Sequence, residues 1–160
     1  MEWPELASAG RALLLVVAAN VLPWAAARAF PHRWTAPLDC GLRFPDGKRL
    51  LGDHKTWKGL LAGVVGCGLI AALTGPGFEV GAAFGGLSLA GDALSSLVKR
   101  RLALAPGTEV PGLDQLPEAL LPSTVLAGAL GLGPEEIIAA ALAFLVLDLL
   151  VTRVRHPASP

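Results

Sequence analysis

The sequence predicts an all-α integral membrane protein with about five transmembrane helices and two polar loops. Hydrophobic residues make up 53% of the 160 residues and charged residues only 16%, below the roughly 25% typical of a soluble domain. The mean hydropathy is +0.57. Five apolar runs approach the ~20 residues that a membrane-spanning helix needs. Alanine and leucine dominate these runs, and no alternation of period two suggests strands. The length suits a single domain, residues 1–160.

The five apolar runs follow one another along the chain, with polar segments or segments rich in glycine and proline between them. The first follows an acidic N-terminal stretch that is unlike the basic start of a signal peptide, so we interpret it as a retained helix. Short segments rich in glycine and proline, residues 75–79 and 131–134, predict helical hairpins between runs two and three and between runs four and five. The runs cover approximately residues 12–27, 59–74, 80–98, 116–132 and 137–151.

The basic residues predict the orientation of the chain in the membrane. With five spans, twelve of the thirteen lysines and arginines fall on one side, in or beside the long segments 30–58 and 99–114 and in the C-terminal tail. Cationic loops remain on the cytoplasmic side. We therefore expect a multi-pass protein of the cell membrane with its N-terminus outside and both long loops and the C-terminus in the cytoplasm.

A polar stripe on the third predicted helix is the first candidate site. Ser88, Asp92, Ser95, Ser96 and Lys99 follow helical spacing, so they share one face of the helix. A carboxylate inside an apolar span is costly and usually functional. Such a group, below a cationic cluster, suits a divalent ion that meets a polyphosphate. The alternative is an Asp92–Lys99 pair that only supports helix packing.

The first long loop is the second candidate site, because it is dense in acids, bases and glycines. Glycines permit close backbone approach to phosphates, and lysine and arginine supply positive charge and hydrogen-bond donors. A loop that binds anionic lipid headgroups has a similar composition. The candidate substrate-binding residues here are Asp46, Lys48, Arg49, Asp53, Lys55, Thr56 and Lys58.

The second long loop supplies a third group that ends at Asp114 and Gln115, just before the fourth run. Two carboxylates, Asp92 and Asp114, with several cations between them are typical of a metal-assisted phosphoryl or nucleotidyl transfer site. Alone, Asp114 is equally consistent with a helix N-cap. Nothing in the sequence favours nucleic-acid binding.

At these residues the chain resembles the CDP-archaeol synthase family, the archaeal relatives of CDP-diacylglycerol synthase. The resemblance rests on residues 46–59, which read DGKRLLGDHKTWKG, and on Gly91-Asp92, Ser96 and Lys99-Arg100-Arg101. Further matches are Asn20, Pro23, Pro106-Gly107 and Asp114-Gln115.

The resemblance implies a transferase of phospholipid biosynthesis, a nucleotidyltransferase that converts CTP and a membrane lipid phosphate into a CDP-lipid and pyrophosphate with Mg²⁺. Asp92 and Asp114 are then expected to bind metal and, with Lys99, to be catalytic. Ser96, Arg100, Arg101 and Gln115 join the substrate-binding set. Pro117 stands where the family often has a second acid, so a second metal is expected only if Glu118 takes that role.

Two other functions are weighed against this one. A CDP-alcohol phosphotransferase is disfavoured because Asp46-Gly47 is followed by Lys48-Arg49 and not by that family's acidic motif. A small transporter or lipid-binding scaffold would use Asp92 as an ion site within the membrane. Such a protein has little need of the clustered loop cations that a triphosphate requires.

Overall fold

The computed structural model describes residues 3–105, 108 and 110–155. Within these residues the chain is helical, and extended pairing is limited to the isolated bridges Pro37–Thr56 and Arg43–Arg49. The all-α prediction is therefore confirmed. The helices are α1 (Trp3–Ala29), α2 (Trp57–Thr74), α3 (Phe78–Arg101), α4 (Gln115–Val125), α5 (Ala127–Leu130) and α6 (Pro134–Arg155).

Three helices of the described chain are long and apolar enough to cross a membrane: Glu5–Ala29 of α1, all of α2 and all of α3. The integral membrane class is confirmed, and the expected number of five spans is approximate. The helix α6 has 22 residues, but Glu135, Glu136 and Asp148 interrupt its apolar character.

The fourth apolar run differs from the single helix expected over residues 116–132. The helix α4 ends at Val125, and Leu126 adopts φ −103° and ψ 16° before α5 begins. Pro122 lies inside α4 and has no N–H to donate to the carbonyl of Glu118, which weakens the helix locally. The 11 residues of α4 span about 16 Å, roughly half of the hydrocarbon thickness.

Glycines bring α2 and α3 into close contact. A Cβ atom on Gly81 would lie 2.3 Å from the carbonyl oxygen of Cys67, and one on Gly85 would lie 2.7 Å from that of Gly63. Small residues at such positions let helix backbones approach each other in lipid. The buried side chains of Leu15, Cys67 and Phe84 belong to the apolar core beside this contact.

The polar segments meet at one end of the helix bundle. Helices α1 and α3 end there, and helices α2 and α4 begin there, so residues 30–56 meet residues 102–105 and 110–114 at this end. The ion pair between Asp46 of the first loop and Arg101 of α3, 2.7 Å long, joins these segments directly. Asp148, near the C-terminal end of α6, accepts a hydrogen bond from Gln115 at this same end.

Candidate active site

A cavity of about 520 Å³ opens at the polar end of the bundle, between α1, the first loop, α2, α3 and α4. Its walls combine apolar side chains with polar ones from both the helices and the loop, as in sites that hold a ligand by a few placed polar groups. The polar residues that line it are Asn20, Thr35, Asp53, His54, Lys55, Thr56, Lys58, Asp92 and Glu118.

Helix α1 contributes a proline to the cavity wall. Pro23 lies inside α1 and has no N–H with which to bond the carbonyl of Ala19. Pro23, Ala19 and Asn20 all line the cavity. A Cβ atom on Gly59 would lie 3.3 Å from the Cβ atom of Pro23, so the absence of a side chain at Gly59 allows α2 to pack closely at this point.

Asp92 forms an ion pair with Lys55, which the first loop places over α3. Both side chains are about one-quarter exposed. A carboxylate on a membrane helix needs such a partner because burying an unpaired charge is costly. The alternative pairing of Asp92 with Lys99 does not occur in this structure, where Lys99 pairs with Asp114 at 2.6 Å.

Glu118 is a second carboxylate in the same cavity, and it is only 4% exposed. Its two oxygens accept long hydrogen bonds of 3.4 Å from Asn20 of α1, and Asp92 and Lys55 lie close enough to interact with it electrostatically. A Cβ atom on Gly91 would lie 2.3 Å from the carbonyl oxygen of Pro117. Gly91 therefore lets α4 pack against α3 and brings Glu118 near Asp92.

Glu118 is not among the residues that the sequence predicts as catalytic, substrate-binding or metal-binding, and it enters there only as a substitute for the acid missing at Pro117. The signal that identified Asp92, an acid within an apolar run, applies to Glu118 as well. Glu118 also lies in the first turn of α4, where an acid stabilises the helix dipole, so its presence in the apolar run is a weaker sign of function than that of Asp92.

Asp114 lies in a second polar cluster, formed by the end of α3 and the loop before α4. Its carboxylate pairs with Lys99 and accepts a hydrogen bond of 3.0 Å from the backbone N–H of Val110. Lys99 also donates to the carbonyl of Thr108 at 3.1 Å. Asp114 occupies the N-cap position of α4, but its side chain makes no capping hydrogen bond to that helix.

Gln115 is buried, and both polar atoms of its side-chain amide form hydrogen bonds within the protein. Its Oε1 atom accepts a hydrogen bond of 2.8 Å from the N–H of Gly112, and its Nε2 atom donates to Asp148 at 2.7 Å. It therefore ties the loop before α4 to α6. Ser96 of α3 is also buried.

The first loop is organised around Asp39, which is 3% exposed. Arg49 pairs with Asp39 and with Asp53, each at 2.8 Å. Burial opposes ionisation of Asp39, but hydrogen bonds from Arg49 and from the backbone N–H groups of Leu51, Gly41 and Gly52 outweigh it and hold the Asp39 pKa well below its usual range. The same hydrogen bond from Arg49 to Asp39 is the largest cause that raises the pKa of Arg49.

Arg101 connects the first loop to α3. It pairs with Asp46, donates to the carbonyl of Arg49 at 3.2 Å and stacks over the ring of Phe44, with 4.3 Å between the guanidinium carbon and the ring centroid. A backbone hydrogen bond from Lys48 is the main cause that lowers the pKa of Asp46. Arg100 instead donates to the carbonyl of Ala105 at 3.1 Å.

The residues predicted from the sequence thus fall into two neighbouring sets. Asp53, Lys55, Thr56, Lys58 and Asp92 line the cavity. Thr56 also caps α2, because its hydroxyl oxygen accepts from the N–H of Gly59 at 3.2 Å. Pro106 and Gly107 lie outside the described residues. The second set, around the end of α3, consists of Asp46, Lys48, Arg49, Ser96, Lys99, Arg100, Arg101, Asp114 and Gln115.

Comparison with known proteins was made against family models, curated sequences and solved structures. Residues 12–79 match a family model described as CarS-like, CDP-archaeol synthase. A CDP-archaeol synthase of Aeropyrum pernix is 41% identical over 127 residues, which are 71% of this chain and 69% of the relative. One of Thermofilum pendens is 40% identical and covers 61% of this chain, which spans half of that relative.

A solved structure described as an intramembrane enzyme for archaeal membrane lipids biosynthesis has the same fold. It superposes with a TM-score of 0.72 at 37% sequence identity and covers 89% of this chain and 90% of its own. The similarity therefore extends over most of both chains.

Proposed function

The chain belongs to the CDP-archaeol synthase family, and we propose that it transfers a cytidylyl group from CTP to a lipid phosphate, with release of pyrophosphate. It is a membrane enzyme, and its product is a CDP-lipid for phospholipid synthesis. The observation that carries the proposal is the cavity at the polar end of the bundle, in which Asp92, Glu118 and Lys55 converge.

The reaction requires charge neutralisation and alignment more than proton transfer. An oxygen of the lipid phosphate forms a bond to the α-phosphorus of CTP, and the bond from that phosphorus to the oxygen bridging the β-phosphate breaks. The lipid phosphate is already an anion, so it needs little help from a general base. Holding the two phosphates in line can supply about 7–11 kcal/mol of the barrier, and cations offset the charge that develops on the leaving pyrophosphate.

The cations of the site suit this task. Lys55 and Lys58 line the cavity, and Lys99, Arg100 and Arg101 lie at the end of α3. In the proposal, Lys55 exchanges its ion pair with Asp92 for contact with the triphosphate, which frees Asp92 to bind metal. Lys99, Arg100 and Arg101 hold the outer phosphates, as do Lys48, Arg49 and Lys58 of the first loop.

The donor set of the cavity fits Mg²⁺. Mg²⁺ favours oxygen ligands and is commonly held by one or two carboxylates together with substrate phosphates. Asp92 and Glu118 offer two carboxylates in one cavity, and within the described part of the chain Glu118 accepts only the long hydrogen bonds from Asn20. In the described part of the chain, no group of three or more histidine, cysteine, aspartate or glutamate side chains is arranged so that it could hold a metal ion.

In the proposal, Asp92 and Glu118 are the residues that would hold Mg²⁺. Bound Mg²⁺ would offset the charge of the triphosphate and of the pyrophosphate that leaves. Asp114 stays a predicted metal residue, although in this structure it pairs with Lys99 and does not line the cavity. Asp46, Asp53, Thr56, Ser96 and Gln115 remain predicted to order the loops around the nucleotide.

A transporter or lipid-binding scaffold is not favoured, because the chain belongs to a family of synthases and retains the cationic loops that a triphosphate requires.

The test is release of pyrophosphate by purified protein in lipid nanodiscs. Release should occur only when CTP, Mg²⁺ and a two-chain lipid phosphate are all present, and EDTA should stop it. Parallel assays with ether-linked and ester-linked lipids and with the four ribonucleoside triphosphates define the lipid and the base. No release with any pairing, from protein shown to be folded, would overturn the proposal.

A further inference from the structure

Asp148 is an acid on the face of α6 that packs against the rest of the bundle. Ala141 and Phe144, seven and four residues before it, are each 3% exposed, and this spacing places all three residues on one face of the helix. Helix α6 packs against α1 and α4. A carboxylate on such a face of an apolar helix is costly unless it has a partner. Asp148 therefore has a role other than apolar packing.

The partner of Asp148 is the side chain of Gln115, at the start of α4. Gln115 donates from its Nε2 atom to Oδ2 of Asp148 at 2.7 Å, and its Oε1 atom accepts from the N–H of Gly112 at 2.8 Å. A carboxylate can only accept and a backbone N–H can only donate, so the two partners together fix which way round the amide of Gln115 lies.

The turn before α4 is held by this amide. Gly112 has a φ of +83°, in the left-handed region that glycine adopts readily, and its N–H points at Gln115. Asp114, the residue before Gln115, pairs with Lys99 at the end of α3. Through one amide, Asp148 therefore holds the turn that presents Asp114 to α3.

Glu118 is the active-site residue that depends on this arrangement. It follows Gln115 by three residues, so the two side chains lie on the same side of α4, and they are 4% and 5% exposed. Glu118 lines the cavity that contains Asp92. A shift at the start of α4 would move Glu118 relative to Asp92, because the first turn of the helix moves as a unit.

We propose that Asp148 is a positioning residue of the active site: by fixing Gln115, it holds the start of α4 so that Glu118 stays beside Asp92, where the two carboxylates would hold Mg²⁺. This inference rests on the proposed function. It adds to the site a residue of α6, a helix that contributes no described residue to the cavity wall. Asp148 acts here through the hydrogen bond that it accepts and not through its charge.

The proposal is tested by removing either side of the hydrogen bond. Asp148→Leu and Gln115→Leu should each raise the Mg²⁺ concentration needed for half-maximal rate about ten- to a hundredfold, as is usual when a group that orients a metal ligand is lost. Because both changes break the same hydrogen bond, the double variant should be no worse than the more impaired single variant. Effects that multiply in the double variant would contradict the proposal.

Asp148→Asn separates geometry from charge. The asparagine oxygen can still accept from Gln115, although a neutral hydrogen bond is roughly half as strong as a charge-assisted one. The Mg²⁺ requirement of this variant should therefore stay within about threefold of the wild type. Asp148 also lies near enough to Glu118 to interact with it electrostatically. A shift as large as that of Asp148→Leu would show that the charge acts directly on Glu118 and would overturn the inference.

Phe144→Leu is the matched control for the packing of α6. Phe144 is one helical turn before Asp148 on the same buried face, and its replacement loosens that face without removing the acceptor of Gln115. The Mg²⁺ requirement should stay close to that of the wild type. A shift equal to that of Asp148→Leu would assign the effect to the docking of α6 and would count against a specific role for Asp148.

Hydrogen-exchange mass spectrometry without Mg²⁺ or CTP gives a readout that does not depend on activity. Backbone amides of residues 110–118 should exchange faster in Asp148→Leu and in Gln115→Leu, because local exchange reports local opening. Their exchange should return to the wild-type rate in Asp148→Asn, and residues 60–74 of α2 should exchange alike in all variants. Gln115→Leu tests the same hydrogen bond if Asp148→Leu does not fold.

Unchanged exchange of residues 110–118 in folded Asp148→Leu would overturn the inference while the proposed function stands. Absence of turnover by the wild type with every lipid phosphate would instead count against the proposed function, and the exchange rates alone would then decide whether Asp148 fixes the start of α4.

Discussion

Asp92 and Lys55 show how a charge is accommodated near the membrane in this protein. Asp92 comes from α3 and Lys55 from the loop before α2, and their ion pair lies in a cavity that Asn20 and Glu118 also line. Removing one partner of a buried ion pair costs more free energy of folding than the intact pair contributes, because the other charge is left unpaired. The ion pair with Lys55 therefore stabilises the charge of Asp92 in the cavity.

Asp92→Asn should abolish turnover and leave the protein folded, because the amide keeps the shape of the side chain and removes the charge that we assign to Mg²⁺ binding. We expect the kcat to fall at least about a hundredfold, as when an electrostatic group is removed from a catalytic site. Folding is followed by the reactivity of buried Cys67 during heating, in a Cys40→Ser background that removes the exposed thiol. Near-wild-type turnover in the folded variant would mean that Asp92 is structural.

Glu118→Gln should raise the Mg²⁺ concentration needed for half-maximal rate by about tenfold or more. The control is Glu136→Gln, which changes an acid that is similarly buried, at 7% exposure, at the start of α6. Glu136 accepts from the N–H of Gly133 at 2.7 Å and does not line the cavity. If the two variants need the same Mg²⁺ concentration for half-maximal rate, Glu118 does not hold the metal.

The sequence identified Asp92 by its cost in an apolar run, but it did not reveal the partner of Asp92. Lys55 lies 37 residues away in a loop, and no helical spacing relates the two. The regular stripe on α3 favoured Lys99, which instead contacts the loop before α4. Pairings across loops depend on tertiary packing that periodicity does not describe.

At the scale of elements, the first loop behaves as a small folded unit built on Asp39 and Arg49. Asp39 accepts hydrogen bonds from Arg49 and from the backbone of Gly41, Leu51 and Gly52. This network fixes the backbone that presents Asp53 and Lys55 to the cavity. Because the first loop is already ordered before the substrate binds, binding costs less conformational entropy.

Asp39→Asn should lower the free energy of unfolding by roughly 1–3 kcal/mol at neutral pH, because buried donors lose a charged acceptor. The folded protein holds the pKa of Asp39 below its ordinary value, so its stabilising effect is fully present above the unfolded pKa of about 3.9. It is lost as the pH falls through the folded pKa. The difference between wild type and variant should therefore shrink below about pH 4.

Thermal unfolding followed by circular dichroism measures this effect. Asp53→Asn is the control, because Asp53 shares the guanidinium of Arg49 but its side chain is 80% exposed. A surface ion pair contributes little, so the control should unfold close to wild type. Equal losses in the two variants would argue against a central role for Asp39.

Hydropathy predicted α1, α2 and α3 well and the fourth run poorly. The observed α2 and α3 begin and end within three residues of the predicted runs 59–74 and 80–98, whereas α1 begins at Trp3, nine residues before the predicted start at residue 12. In the fourth, Pro122 and the non-helical Leu126 divide an apolar segment into α4 and α5. A hydropathy average depends only on side-chain polarity over a window of residues. It does not include the backbone hydrogen bond that a proline removes, so the break between α4 and α5 was not predicted.

For the whole molecule, the one-sided cations predict that the polar end faces the cytoplasm. Cys40 of the first loop is exposed and Cys67 is buried, so the protein carries its own reporter of topology. A membrane-impermeant maleimide should not label Cys40 in intact cells and should label it after permeabilisation. Glu79→Cys in a Cys40→Ser background, at the opposite end of the bundle, should be labelled from outside. Labelling of Cys40 in intact cells would show that the first loop lies outside the cell and that the predicted orientation is wrong.

The central claim is that this chain joins CMP to a lipid phosphate. It is tested most directly by following the α- and γ-phosphates of CTP separately. Purified protein in nanodiscs is supplied with Mg²⁺, a lipid phosphate and CTP that is radiolabelled at either the α- or the γ-phosphorus. The account predicts that the α-label moves into the organic extract as a CDP-lipid, while the γ-label remains in water as pyrophosphate, and that Asp92→Asn prevents both changes. An α-label that stays in water while the folded protein is present, or a γ-label that enters the lipid, would contradict it.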